Sequence, residues 1–163
     1  MKNRMTRLLT LALSLALCVL VWPSAAYAFD PVDQDRPVSL TIYANDESTA
    51  LPGVGFELYR IADMNELAQF ELLDAYSAFT GDINKLENAG QWASAAAQMK
   101  EIAKDYTPDY AATSGASGLA TFATLQPGLY LVSGAPVEIL PWAYTFAPFI
   151  VSVPTRDAND EWL

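Results

Sequence analysis

The sequence has no histidine and one cysteine, Cys18, which falls within the first 28 residues. Beyond them, the side chains that most often move protons near neutral pH, attack carbonyls or bind transition metals are missing. No disulfide can form there, so stability has to come from the core. Basic residues are scarce as well: Arg36, Arg60, Lys85, Lys100, Lys104 and Arg156 face all 19 acidic residues, a net charge of −13 after residue 28. So acidic a surface excludes nucleic acid and anionic membranes as natural partners. The chain is suited to holding or binding rather than reacting, and no catalytic residue, cofactor or metal is expected.

The first 28 residues read as an export signal. Lys2, Arg4 and Arg7 form a basic start, Leu8 to Val21 is apolar but too short to span a bilayer comfortably, Pro23 breaks it, and Ala26-Tyr27-Ala28 offers a small-x-small cleavage site. Leu17 stands before Cys18 where a lipoprotein signal wants a small residue, so Cys18 is expected to leave with the signal. The mature chain then carries no membrane span and is secreted. Residues 29–37, with Asp30, Asp33 and Asp35 among prolines, read as a linker, and 38–163 as one domain.

Within that domain, Val38 to Ala44 alternates, with Leu40 and Ile42 on one face, and predicts a half-buried strand. Asn45 to Gly53 carries turn residues, and Gly55 to Ile61 predicts a second strand with Phe56, Leu58 and the Arg60 stem on one side. Residues 64–113 break the pattern. A short strand at Gln69 to Leu73 precedes an amphipathic helix of about four turns, in which Trp92, Ala95, Ala96, Met99, Ile102, Ala103 and Tyr106 recur at helical spacing. Asn88 can cap it, Lys100 and Lys104 suit its C-terminal dipole, and Pro108 stops it. Its stripe is expected to dock on the domain. Leu119 to Leu125 then predicts a strand with Leu119, Thr121, Ala123 and Leu125 on one face and Ala120, Phe122 and Thr124 on the other. Gln126-Pro127-Gly128 predicts a hairpin turn into Leu129 to Ser133, and Tyr144 to Val153 a last strand with an irregularity at Pro148. The sum is an all-β, antiparallel Ig-like or prealbumin-like β-sandwich with an inserted amphipathic helix.

Three segments carry a resemblance. Leu51-Pro52-Gly53-Val54-Gly55-Phe56-Glu57-Leu58-Tyr59 resembles the L-P-G-A-x-F-x-L-Y signature of B-type (prealbumin-like, SpaA-like) domains of Gram-positive surface proteins. Gly118 to Val132 resembles their G-x-A-x-F-x-x-L-x-x-G-x-Y-x-V segment. Tyr144 to Pro154 is similar to the Y-T-x-x-P-F-x-V-S-x-P strand in the N-terminal domain of sortase-assembled pilin subunits. In that pattern Gly118 and Gly128 can supply positive φ, and Gly53 and Gly55 can admit close backbone approach. The resemblance implies a structural subunit of a pilus, fimbrium or stalk at the cell wall, joined by a sortase to other pilin subunits and serving cell adhesion. The alternative is a non-polymerising adhesin domain for a host protein or polysaccharide.

The chain departs from the pattern at three places. Relatives are expected to carry a first-strand lysine that forms an isopeptide bond with an asparagine near the last strand beside a buried acid; here that strand offers Thr41, Tyr43 and Ala44, and Ser133-Gly134 stands where the acid often lies. No such bond is expected. Trp162 can begin the Trp-led segment that ends in the Tyr-Pro-Lys acceptor, but the lysine is not reached. Leu140-Pro141-Trp142-Ala143-Tyr144 lacks the threonine and glycine of a sorting signal, which points to a fragment of a longer protein, with a short secreted domain as the alternative.

Other groupings weigh less. Asp30, Asp33 and Asp35, or Asp157, Asp160 and Glu161, lack EF-hand spacing and read as solvated acids. Glu57 and Glu138 have nothing to fix a glycosidase separation. Trp142, Tyr144 and Phe146 alternate onto one strand face; core packing is expected there, while exposure of Trp142 would favour sugar or protein adhesion.

Overall fold

Strand β4 (Gly55–Met64) organises the molecule because it is buried on both faces. In the computed structural model, which describes residues 30–47, 49–157 and 162–163, Pro31–Leu163 form one compact unit. The expected signal lies outside the described residues. The order is β1 (Val38–Tyr43), β2 (Asn45–Asp46), β3 (Thr49–Ala50), β4, β5 (Phe70–Leu72), α1 (Ala89–Ala103), β6 (Tyr110–Thr113), β7 (Leu119–Leu125), β8 (Gly128–Gly134), β9 (Val137–Ile139), β10 (Trp142–Tyr144) and β11 (Phe149–Val153). All pairings are antiparallel. The large sheet runs β11-β8-β4-β5, with β6 also paired to β4; β1-β7, β9-β10 and β2-β3 are two-stranded. This is the all-β sandwich with an inserted helix that the alternation predicts.

Two cores meet on β4 and β8. Phe56, Leu58, Tyr130 and Val132 point inward to Val38, Phe122 and Leu125 of the facing sheet. Tyr59, Ile61, Leu129 and Leu131 point the other way, to Ala95, Ala96, Met99 and Ala103 of α1, to Tyr76 and Ile83 in the 3-10 segments before it, and to Phe79 between them. Strand β8 is therefore hydrophobic at consecutive positions, the pattern of a strand covered on both sides. A bulge between Arg60 and Ala62 puts Ile61 and Ala62 on the same outer face.

The helix forms where its caps predict. Asn88 Oδ1 accepts the Gln91 N–H at 3.0 Å, and Gln91 Oε1 accepts the Glu87 N–H at 2.6 Å. Trp92 and Ile102 flank the buried stripe. Tyr106, expected on that stripe, lies past the helix end with its ring 6.0 Å from that of Tyr76.

Several expectations are corrected. The turn region 45–53 contains the β2-β3 hairpin, and the segment 64–113 holds, besides the short strand expected near Gln69 to Leu73 (β5), a second strand at its end, β6; both pair with β4. Strands β7 and β8 do not form a hairpin: β7 pairs with β1 and β8 with β4 and β11, so Gln126-Pro127-Gly128 carries the chain from one sheet to the other. Leu125 faces inward with Ala120 and Phe122, because Thr124 at φ 59° inserts an extra residue between Phe122↔Leu40 and Leu125↔Val38. The last expected strand is two, β10 and β11, separated at 145–148. The lead-in 29–37, read as a linker, holds one anchor: Val32 is 2% exposed and donates its N–H to the Glu66 carbonyl at 3.1 Å.

Candidate functional site

The L-P-G turn is locked from 60 residues away in sequence. Ser114, the buried polar residue found among the described residues, donates its hydroxyl to the Leu51 carbonyl at 2.7 Å and accepts the Val54 N–H at 2.9 Å. Its own backbone accepts from Gly53 and donates to Val54. Gly53 at φ 80° supplies the left-handed turn residue, with open space around its Cβ position, so its role is conformational and not the close approach expected of it. Sequence reading passed over Ser114, because a serine beside Gly115 reads as part of a small-residue turn.

A second junction fixes the sheet-to-sheet crossing. Arg60 stands in the gap on β4 between the partners of β6 and β5, and its N–H is taken by Asp109 Oδ2 at 2.7 Å. The guanidinium donates to Gln126 Oε1 and to the Pro127 carbonyl, each at 2.9 Å, and pairs with Asp63 at 3.0 Å. Tyr130 donates its phenol to the Gln126 carbonyl at 2.8 Å. Gly128 serves this junction by close approach, not by positive φ: a Cβ would stand 2.7 Å from the Ala62 carbonyl oxygen and 3.0 Å from Arg60 Nε. Gly118 does have the positive φ expected of it, 77°.

The first strand turns apolar groups into the sandwich. The inward residues of β1 are Val38, Leu40 and Ile42, while Thr41 faces out and meets Thr121 Oγ1 at 3.2 Å. Gly134 makes room for Phe146, whose ring packs edge-on to Phe56 at 5.6 Å. Lys85 and Lys104 lie on the outside, paired with Asp82 and Glu101, and Lys100 is exposed.

The aromatic trio divides. Phe146 and Tyr144 pack against the sandwich core, and the Tyr144 phenol reaches Asp46 Oδ2 at 3.3 Å, where partial burial and that carboxylate raise its pKa. Trp142 does not join them. It is 66% exposed at the end of the β9-β10 hairpin, beside Leu140 at 91%.

The acids stay dispersed. Asp33 Oδ1 caps the Asp35 N–H at 3.0 Å, and the Glu57 carboxylate accepts the Tyr59 phenol at 2.9 Å. Glu138 sits on β9, in a different sheet from Glu57. Asp160 and Glu161 lie outside the described residues, among which no three His, Cys, Asp or Glu gather as a metal site. Trp162 folds back: its ring lies 4.3 Å from the Arg156 guanidinium carbon. The largest pKa shifts belong to structural tyrosines. Burial pushes Tyr59, Tyr76 and Tyr130 up to about 12, with Glu57 adding to the first and Asp109 to the second.

No known family profile matches this chain, and no curated protein does. Solved structures that resemble it include Gram-positive pilins. The full-length major pilin SpaD from Corynebacterium diphtheriae is 25% identical, with a TM-score of 0.47 over 80% of this chain and 28% of its own. The fimbrial protein FimP from Actinomyces oris is 18% identical, with a TM-score of 0.47 over 82% of this chain and 29% of its own. The pilus backbone protein RrgB from Streptococcus pneumoniae is 14% identical, with a TM-score of 0.37 over 71% and 33%. The chain thus spans under a third of the length of SpaD and FimP. Among the described residues, no helix is long and apolar enough to cross a membrane.

Proposed function

We propose that this chain is the N-terminal part of a structural subunit of a cell-surface pilus or stalk, exported, linked to other subunits by a sortase, and serving adhesion. The observation that carries the reading is the use to which the three signature segments are put. The L-P-G turn opens β4, the Gly118 to Val132 segment supplies β7, the crossing and β8, and the Pro-bounded segment supplies β11; together they make both faces of the sandwich. Its features are architectural: apolar strands, a locked turn, a pinned crossing, and acids spent on local hydrogen bonds or solvent.

The test is incubation of the full-length protein with its class C sortase. Ladders resistant to sodium dodecyl sulfate, anchored on a lysine of a Tyr-Pro-Lys segment beyond Leu163, are the expected product. Active sortase without a ladder overturns the proposal. A second reading, a non-polymerising adhesin domain, draws support from the exposed Trp142 and Leu140. It expects Trp142→Ala to abolish binding to a host protein or polysaccharide while leaving any ladder unchanged.

A further inference from the structure

A cleft of about 540 Å³ runs along the outer layer, between the segment 79–81 and the first three turns of α1. That volume lies within the range of small-ligand sites, roughly 300–1,000 Å³. Its floor is apolar, made by Phe79, Leu86 and Ala95, and its helix wall is a row of Asn88, Gln91, Ser94 and Gln98. Such spacing puts Gln91, Ser94 and Gln98 on one face of α1, with the Asn88 cap at its start. The Thr80 hydroxyl donates to Gln98 Oε1 at 3.5 Å.

Two properties of the lining point to a ligand class. First, the amides are oriented: the oxygens of Asn88 and Gln91 are held by the backbone N–H groups of Gln91 and Glu87. Their NH2 groups, with that of Gln98 and the Ser94 hydroxyl, make no hydrogen bond among the described residues. Second, in a chain with 19 acidic residues, no charged residue lines this cleft. It holds no cation to neutralise an anionic ligand and no carboxylate to attract a cationic one. Oriented amide donors and hydroxyls above an apolar floor complement a pyranose ring, which offers a C–H face and an edge of hydroxyl oxygens.

We propose that this cleft binds a neutral saccharide, with Asn88, Gln91, Ser94 and Gln98 holding its hydroxyls and Phe79, Leu86 and Ala95 facing its apolar side. The site is distinct from the Trp142 hairpin and does not depend on polymerisation. It is tested by saturation-transfer NMR of the full chain with neutral oligomers of glucose, galactose and N-acetylglucosamine, alongside uncharged peptides. Saturation transfer to one of these saccharides is expected, with shifts in the side-chain amide resonances of Asn88, Gln91 and Gln98. Ser94→Trp, which fills the cleft, abolishes it. Gln98→Ala, on an exposed side chain that spares the fold, weakens it about tenfold or more. Thr41→Ala, on the outward side of β1, leaves it unchanged. The proposal is overturned if none of these saccharides receives saturation, if only the peptides do, or if Ser94→Trp and Gln98→Ala leave the signal intact.

Discussion

The two layers that share β4 and β8 are built from different materials. Between the sheets the contacts are made by Phe56, Leu58, Phe122, Leu125, Tyr130 and Val132, large side chains from both sides. On the outer face the sheet still supplies large groups, Tyr59, Ile61, Leu129 and Leu131, but the fully buried part of the helix stripe is Ala95, Ala96, Ala103 and a single Met99, with Trp92 and Ile102 only half-buried at its margins. Small side chains let the helix axis approach the sheet closely, yet each buries little apolar area. The sandwich is thus the stronger partner, and the outer layer is held as much by its caps, by Tyr76, Phe79 and Ile83, and by strand pairing at each end as by the helix stripe.

The largest test of that contrast is Leu58→Ala. Leu58 is fully buried in the sandwich core, and its truncation is expected to cost about 2–5 kcal/mol. Because β4 belongs to both layers, urea unfolding should remain one transition by both far-ultraviolet dichroism and tryptophan fluorescence; two separated transitions would uncouple the layers. Next comes Ser114→Ala, which strands the Val54 N–H and the Leu51 carbonyl and is expected to cost roughly 1–3 kcal/mol, read as a lower urea midpoint.

Alkali attacks both layers together. Tyr130 sits in the inner core and Tyr59 and Tyr76 in the outer one, each with its pKa raised from 10.0 to about 12. The folded state holds these phenolic protons more tightly than the unfolded state. Their contribution is fully present below pH 10 and is lost as pH rises through 12, so the melting temperature should fall over that interval. The smallest effect belongs to Asn88→Ala, about 0.5–2 kcal/mol through loss of the cap. Amide exchange should quicken at the start of α1 and leave β8 protected; equal loosening of β8 would merge the layers.

Much of this division was legible beforehand. The alternation of Leu40 and Ile42, the capped stripe from Asn88 to Ala103 and the strands around Phe56 and Phe122 all lie where local pattern puts them. The facing of Leu125 was not, since Thr124 is not a residue that advertises a left-handed turn. Gln126-Pro127-Gly128 has the chemistry of a hairpin turn, and only the long-range pairing of β8 with β4 shows that the chain changes sheets there. Ser114, Asp109 and Val32 act through partners far away in sequence, which no local window contains. Trp142 shares an alternation with Tyr144 and Phe146, but the hairpin carries it beyond the edge of the core they pack on.

The departure and return of the chain on one flank of β4 have a consequence for how such a domain can change. Strand β5 leaves beside Ala62–Met64 and β6 rejoins beside Gly55–Leu58, so the whole excursion between them is stitched into its host by two neighbouring seams. It can therefore lengthen, shorten or be exchanged without rethreading the host's other strands. One condition binds any replacement: it must bring its own greasy underside, because the bare flank of Ile61, Leu129 and Leu131 would otherwise meet water.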